Sequence, residues 1–118
     1  MSPEEFRLLA LGLAGTVEGS HMDHADFRVG RRIFATLGYP AAGFAMVKLP
    51  PELQAVYVEA EPAIFSPVKG AWGRAGSTLV NLAAATPAKV EGAIAAAWSK
   101  TAPKGFAAAG KSKSRNRG

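Results

Sequence analysis

The residues of this chain that could do chemistry are few, and most of them are cations. Arg28, Arg31 and Arg32 gather around Gly30 in the run Phe27-Arg28-Val29-Gly30-Arg31-Arg32-Ile33-Phe34, while Lys69, Trp72 and Arg74 share a second, glycine-rich stretch. A guanidinium carries a rigid fork of donors matched to phosphate oxygens, and an exposed indole offers a face on which an unpaired base can stack. Placed at two hairpin tips, these side chains would contact nucleic acid. The plainer alternative is that they are ordinary edge charges and that Trp72 packs against its own domain. A third set, Lys111, Lys113, Arg115 and Arg117, closes the chain among Ser, Asn and Gly. Those cations would give affinity for any polyphosphate through counterion release, without sequence preference.

The rest of the inventory argues against an enzyme. The 118 residues include no cysteine, which excludes a thiolate nucleophile, a disulfide framework and a cysteine zinc site. Both histidines lie in His21-Met22-Asp23-His24-Ala25-Asp26. If that segment is extended, His21 and Asp23 share one face and His24 and Asp26 the other. Two ligands per face fall short of a closed metal site, so a polar loop is expected there, with no metal and no cofactor. Gly70, Gly73 and Gly76 do not make a dinucleotide fingerprint, because a strand and not a helix follows them. They read instead as turn geometry and room for close backbone packing. Ser20, Ser66, Ser77 and Ser99 have no local motif that pairs one of them with an activating base.

The formal net charge is +5, and its distribution matters more than its sum. Residues 1–99 hold eight cations and all nine acids, a net −1, whereas residues 100–118 hold Lys100, Lys104, Lys111, Lys113, Arg115 and Arg117 with no acid, a net +6. A basic face on the body therefore requires local clustering. With 48% hydrophobic and 19% charged residues the chain is too apolar for disorder, and it lacks the run of ~18 apolar residues that a membrane span needs. The acidic opening Met1-Ser2-Pro3-Glu4-Glu5 differs from the basic start of a secretory signal, so a cytoplasmic protein is expected. Residues 1–103 are read as one domain, a monomer, and residues 104–118 as a basic, disordered tail.

The elements that must position the cations follow from caps and periodicity. Ser2, Pro3 and Glu5 form a capping box for a first helix with Phe6, Leu9, Ala10 and Leu13 on one face and Gly15 as a stop. Asp26 to Leu37 reads as a hairpin with a type II′ turn at Gly30-Arg31, pairing Val29 with Arg32 and Phe27 with Phe34. That register sends Arg28 and Arg32 to opposite faces. Phe44 to Leu49 is a third strand, and Pro50-Pro51 starts a helix with Leu53, Val56, Tyr57 and Ala60 on its apolar face. Phe65 to Gly76 leads into a strand from Ser77 to Leu82 as a second hairpin. Thr86 caps a closing helix that buries Val90, Ile94, Ala97 and Trp98 and reaches its limit at Pro103. The order predicts an α+β fold, with a mainly antiparallel sheet flanked by N-terminal and C-terminal helices.

The segment Phe27-Arg28-Val29-Gly30-Arg31-Arg32-Ile33-Phe34-Ala35-Thr36-Leu37, with Val47-Lys48-Leu49, Phe65-Ser66-Pro67 and Gly70-Ala71-Trp72-Gly73-Arg74 in that order, resembles the MmcQ/YjbR-like family. The resemblance runs from about Phe6 to Trp98. It implies a frataxin-like α+β fold and a "double wing" role in DNA binding, which maps onto Arg28, Arg31, Arg32, Lys69, Trp72 and Arg74. The tail lies outside it. The competing reading is a protein-interaction or small-ligand module with no nucleic-acid role. A concave apolar pocket lined by His21 or Tyr57 would favour that module. A positive surface joining Arg31, Arg32, Lys69 and Arg74 would favour nucleic acid.

Overall fold

Ser2 opens the first helix as its side chain requires. In the computed structural model, which describes residues 1–104, Glu5 N donates to Ser2 Oγ (3.1 Å) and Ser2 N to Glu5 Oε1 (2.8 Å), closing the capping box of α1 (Pro3–Leu11). The helix ends earlier than expected, capped by Gly12, and Gly15 serves a left-handed turn beyond it. There follow β1 (Val17–His21), β2 (His24–Val29), β3 (Arg32–Leu37), β4 (Phe44–Lys48), α2 (Pro51–Ala60), β5 (Phe65–Pro67), α3 (Ala71–Arg74), β6 (Ser77–Asn81) and α4 (Pro87–Thr101). The six strands form one sheet in the order β1-β2-β3-β4-β6-β5, with every neighbouring pair antiparallel. This is an α+β fold flanked by its N-terminal and C-terminal helices. No helix among the described residues is long and apolar enough to cross a membrane.

Strand parity puts Phe27, Val29, Ala35, Ala45, Val47, Phe65 and Val80 on one sheet face, all essentially inaccessible to solvent. Against them pack Phe6 and Ala10 of α1 and Val90, Ala93, Ile94, Ala97 and Trp98 of α4, and Phe34, Leu49, Ile64, Leu82 and Ala85 belong to the same core. Each of the valine, isoleucine and phenylalanine side chains among them contributes roughly 1.5–3 kcal/mol when fully buried. Trp98 also donates its indole N–H to Ala14 O (2.9 Å), tying α4 to the loop after α1. On α2 the half-buried face is Leu53, Gln54, Tyr57 and Val58, while Val56 and Ala60 are exposed, contrary to the expected stripe. The helix is oriented by Tyr57 against Phe65 (ring centroids 5.1 Å apart) and by Gln54 Nε2, which donates to Gly73 O, Ser77 O and Thr78 Oγ1.

Three features of the sheet differ from expectation. Gly30 and Arg31 both have positive φ (+58° and +72°), so the β2–β3 turn has the type I′ pattern and not II′. A bulge between Phe27 and Arg28 pairs Phe27 with Ala35, not Phe34, and the Phe27 ring packs on Phe6 with centroids 6.3 Å apart. The segment from His21 to Asp26 is no polar loop. Met22 and Asp23 both adopt positive φ, reverse the chain, and pair His21 with His24 as the end of a β1–β2 hairpin. The alternation expected for an extended segment is broken at that turn, and His21 meets Asp26 instead of sharing a face with Asp23.

That hairpin is organised by a carboxylate. Asp26 is fully buried, accepts from Arg28 Nε (2.7 Å) and Nη2 (3.0 Å), and lies 2.7 Å from His21 Nδ1. Gly19 lies opposite Asp26, where a Cβ would press on Asp26 Oδ1 and the Arg28 guanidinium, so its missing side chain makes room for the pair. The Arg28 hydrogen bonds hold the Asp26 carboxyl below the usual carboxylate range, against the opposing effect of burial, with His21 adding to the depression.

Two glycines fix the β5–β6 connection. A Cβ on Gly73 would overlap the Val68 carbonyl, and one on Gly76, where φ is +118°, would overlap the Leu49 carbonyl. The expected role of these glycines, turn geometry with close backbone packing, is what the structure contains.

Two outcomes follow. Gly76→Ala is expected to destabilise the protein by about 3 kcal/mol or more, since it adds a backbone clash to the strain of a positive φ. Gly43→Ala, at φ +90° with nothing within 4 Å, suffers the strain alone, about 1–2 kcal/mol. Equal losses in urea denaturation would contradict the close-approach account. For Asp26, the folded-state pKa lies below the unfolded one, so its contribution is present above the unfolded pKa and lost as pH falls through the folded value. Asp26→Asn should therefore cost about 1–2 kcal/mol at pH 7, and the difference from the parent should shrink as pH falls below about 4. A difference that stays constant into acid would contradict it.

Candidate functional site

One end of the sheet collects the cations. The antiparallel registers place the β2–β3 turn, the last residue of β4, the end of β5 and the start of β6 at that end, because Val29 pairs with Arg32, Lys48 with Ser77 and Pro67 with Thr78. The last turn of α4 arrives there too, since Lys100 Nζ donates to Leu49 O (3.2 Å) and Ala75 O (3.4 Å). Pro103, just past α4, packs over Gly30 so closely that a Cβ there would come within 2.7 Å of it.

Among the described residues two recesses open at this end. The larger, about 490 Å³, is lined by Arg28, Arg31, Arg32, Lys48 and Lys100 with Ile33 as its apolar wall. The second, about 310 Å³, shares Lys48 and Lys100 with the first and is bordered by Trp72 and Ser77. Trp72 is 66% exposed, so it is not a packing residue of the core.

The charges are unevenly compensated. Arg28 is committed to Asp26. Among the described residues Arg31, Arg32, Lys48 and Lys100 make no ion pair, while the acids Glu4, Glu18 and Glu61 pair with Arg7 and Lys89 elsewhere. Burial, reinforced by the charges of Lys100 and then Arg32, pushes the Lys48 ammonium below the usual lysine range. An anion that enters the recess would stabilise the Lys48 ammonium by offsetting its partial burial and the neighbouring positive charges.

Of the residues singled out in the sequence, the structure brings together Arg28, Arg31, Arg32 and Trp72. Arg28 and Arg32 belong to opposite sheet faces, as the register required, and they meet because the recess opens around the sheet end and not on a face. Lys69 and Arg74 are exposed on the β5–β6 connection and line neither recess, so they do not join the cluster. Lys111, Lys113, Arg115 and Arg117 lie outside the described residues. Sequence reasoning missed two members. Lys48 could have been noticed as the lone charge in an otherwise apolar strand, and Lys100 as a last-turn helix cation before Pro103 and not a tail residue.

The other features carry less. An apolar hollow of about 410 Å³ lies between α1 and α4, walled by Leu8, Leu9, Leu13 and Ala95, and neither His21 nor Tyr57 lines it. Among the described residues no group of three or more His, Cys, Asp or Glu could hold a metal ion.

The fold and the sequence both have relatives. The YjbR family model matches residues 11–100. The crystal structure of Deinococcus radiodurans protein DR2400, with a DUF419 domain, superposes with a TM-score of 0.72 over 95% of this chain and 86% of that one, at 17% identity. At that identity the likeness concerns the fold. No curated protein matches the sequence. With 11–100 covered by the family model, and with the hairpin, V-K-L strand and W-G-R connection in their expected order, the chain belongs to the YjbR family.

Proposed function

We propose that this protein is a cytoplasmic, monomeric, non-enzymatic DNA-binding domain, acting without a cofactor, that engages the phosphate backbone at the sheet end between its β2–β3 turn and its β5–β6 connection. The observation that carries the reading is the group Arg31, Arg32, Lys48 and Lys100, which makes no ion pair among the described residues and lines a recess beside an exposed Trp72. Four cations without acidic partners at one place on a body whose net charge is about neutral are costly through mutual repulsion. Phosphate oxygens offset that repulsion, and arginine forks bind them with defined geometry. Further support comes from the family resemblance, which implies a "double wing" role in DNA binding. The tail cations add a term without sequence preference.

The experiment is a salt titration of binding to a short DNA duplex with the full chain and with a chain ending at Lys104, which keeps Lys100 and the Pro103 contact with Gly30. For duplex DNA log K falls with log[salt] by about 0.9 per phosphate neutralised, so removing Lys111, Lys113, Arg115 and Arg117 should flatten the slope by up to ~3.6 units. The shortened chain should still bind, and Arg32→Ala and Lys48→Ala should each weaken it further. Arg31→Gly separates stability from binding, because it relieves a positive φ worth about 1 kcal/mol while removing a guanidinium. It should melt higher and bind less. A shortened chain that binds no DNA at low salt would end the case for the sheet end and leave any affinity to the tail.

A further inference from the structure

We infer that the nucleic acid this site takes is an unpaired strand, with one base stacked on Trp72 and the adjoining phosphate held by Lys48 and Lys100 where the two recesses meet. The inference rests on the nucleic-acid reading and specifies its substrate. Three observations carry it. Trp72 is 66% exposed, on a four-residue helix held in place by Gly73 against Val68 and by Gln54 Nε2 on Gly73 O, so the indole is presented on a fixed backbone. In a duplex the base faces are hidden in the stack, and only an unpaired base gives an indole a face to cover. Second, the cations line a recess and not a ridge. Lys48 is half-buried on the sheet, so a phosphate must enter the hollow to reach it, which a flexible single strand does more readily than a rigid duplex backbone. Third, the recess that borders Trp72 shares Lys48 and Lys100 with the arginine recess, so base platform and phosphate ligands are contiguous. Arg31 and Arg32 at the far side would then take the next phosphate along the strand.

The geometry also separates this surface from generic attraction. The cations of the tail favour the higher charge density of a duplex, with about 0.9 ion released per phosphate against about 0.7 for single strands. A preference for the single strand has to come from stacking and shape.

The test uses the full chain and fluorescence anisotropy with two probes of one sequence, a labelled 12-nucleotide single strand and its duplex, at the same salt. The single strand should bind about tenfold or more tightly than the duplex, and Trp72→Ala should remove about tenfold of single-strand affinity while leaving duplex affinity within twofold. Trp72→Phe, which keeps a smaller aromatic face, should restore part of the loss, and Trp72→Leu, which keeps apolar bulk without it, should not. All variants are compared at equal thermal unfolding midpoints, and the exposure of Trp72 makes loss of fold unexpected. A duplex bound as tightly as the single strand, or a Trp72→Ala loss equal for both probes, would overturn the inference and leave the DNA-binding reading standing. No binding of either probe at low salt would overturn both.

Discussion

The structure turns on a close approach of two backbones. Gly76 lies against the Leu49 carbonyl with no space for a side chain, Leu49 N donates to Gly76 O (3.0 Å), and Lys100 Nζ closes the junction by donating to Leu49 O. Through this junction the end of β4, the start of β6 and the last turn of α4 are held together. Gln54 of α2 and the Gly73 approach to Val68 fasten the β5–β6 connection to the same place. Were the glycines replaced, the connection that carries Trp72 would lift away from β4, and Lys48 and Lys100 would no longer line the recess that borders Trp72. Folding and site are thus one construction, with Lys48 and Lys100 beside the glycine junction.

A second constraint acts one strand over. Asp26 pairs with Arg28 within the sheet, and the β2–β3 register shifts between Phe27 and Arg28 before the turn. One of the arginines that cluster in the sequence is therefore spent on the fold, and the others stay unpaired among the described residues. The division is decided by Gly19, whose bare backbone on β1 leaves the space that the Asp26–Arg28 pair fills. Local charge counting treats Arg28, Arg31 and Arg32 alike, but the structure does not.

Much of the fold was legible because it is written in local chemistry. Ser2 and Glu5, Thr86 and Pro87, and the apolar face of Val90, Ile94, Ala97 and Trp98 announce their helices by capping and by period. The β1–β2 hairpin was not legible, because its turn uses Met22 and Asp23 at positive φ, where glycine or asparagine is the usual signal. The Phe27 register failed for a different reason, since the β2–β3 pairing shifts at a bulge that no turn residue or period announces. The candidate site divides in the same way. Arg31, Arg32 and Trp72 stand out by their neighbours along the chain, whereas Lys48 and Lys100 join them only through the sheet register and the length of α4. Lys69 and Arg74 share a motif with Trp72 but not its recess, which shows how little proximity in sequence says about charge geometry on a short connection.

The central claim is that the basic sheet end, and not the tail alone or the β1–β2 face, receives a polyanionic strand. The most direct measurement is an NMR titration of the isotope-labelled full chain with a short oligonucleotide, following the backbone amides and the Trp72 indole N–H. The account expects concentrated shifts at Arg31, Arg32, Lys48, Trp72 and Lys100, with His21, Asp26 and the α1–α4 hollow little affected. Shifts confined to residues after Lys104, or centred on the β1–β2 hairpin, would contradict it.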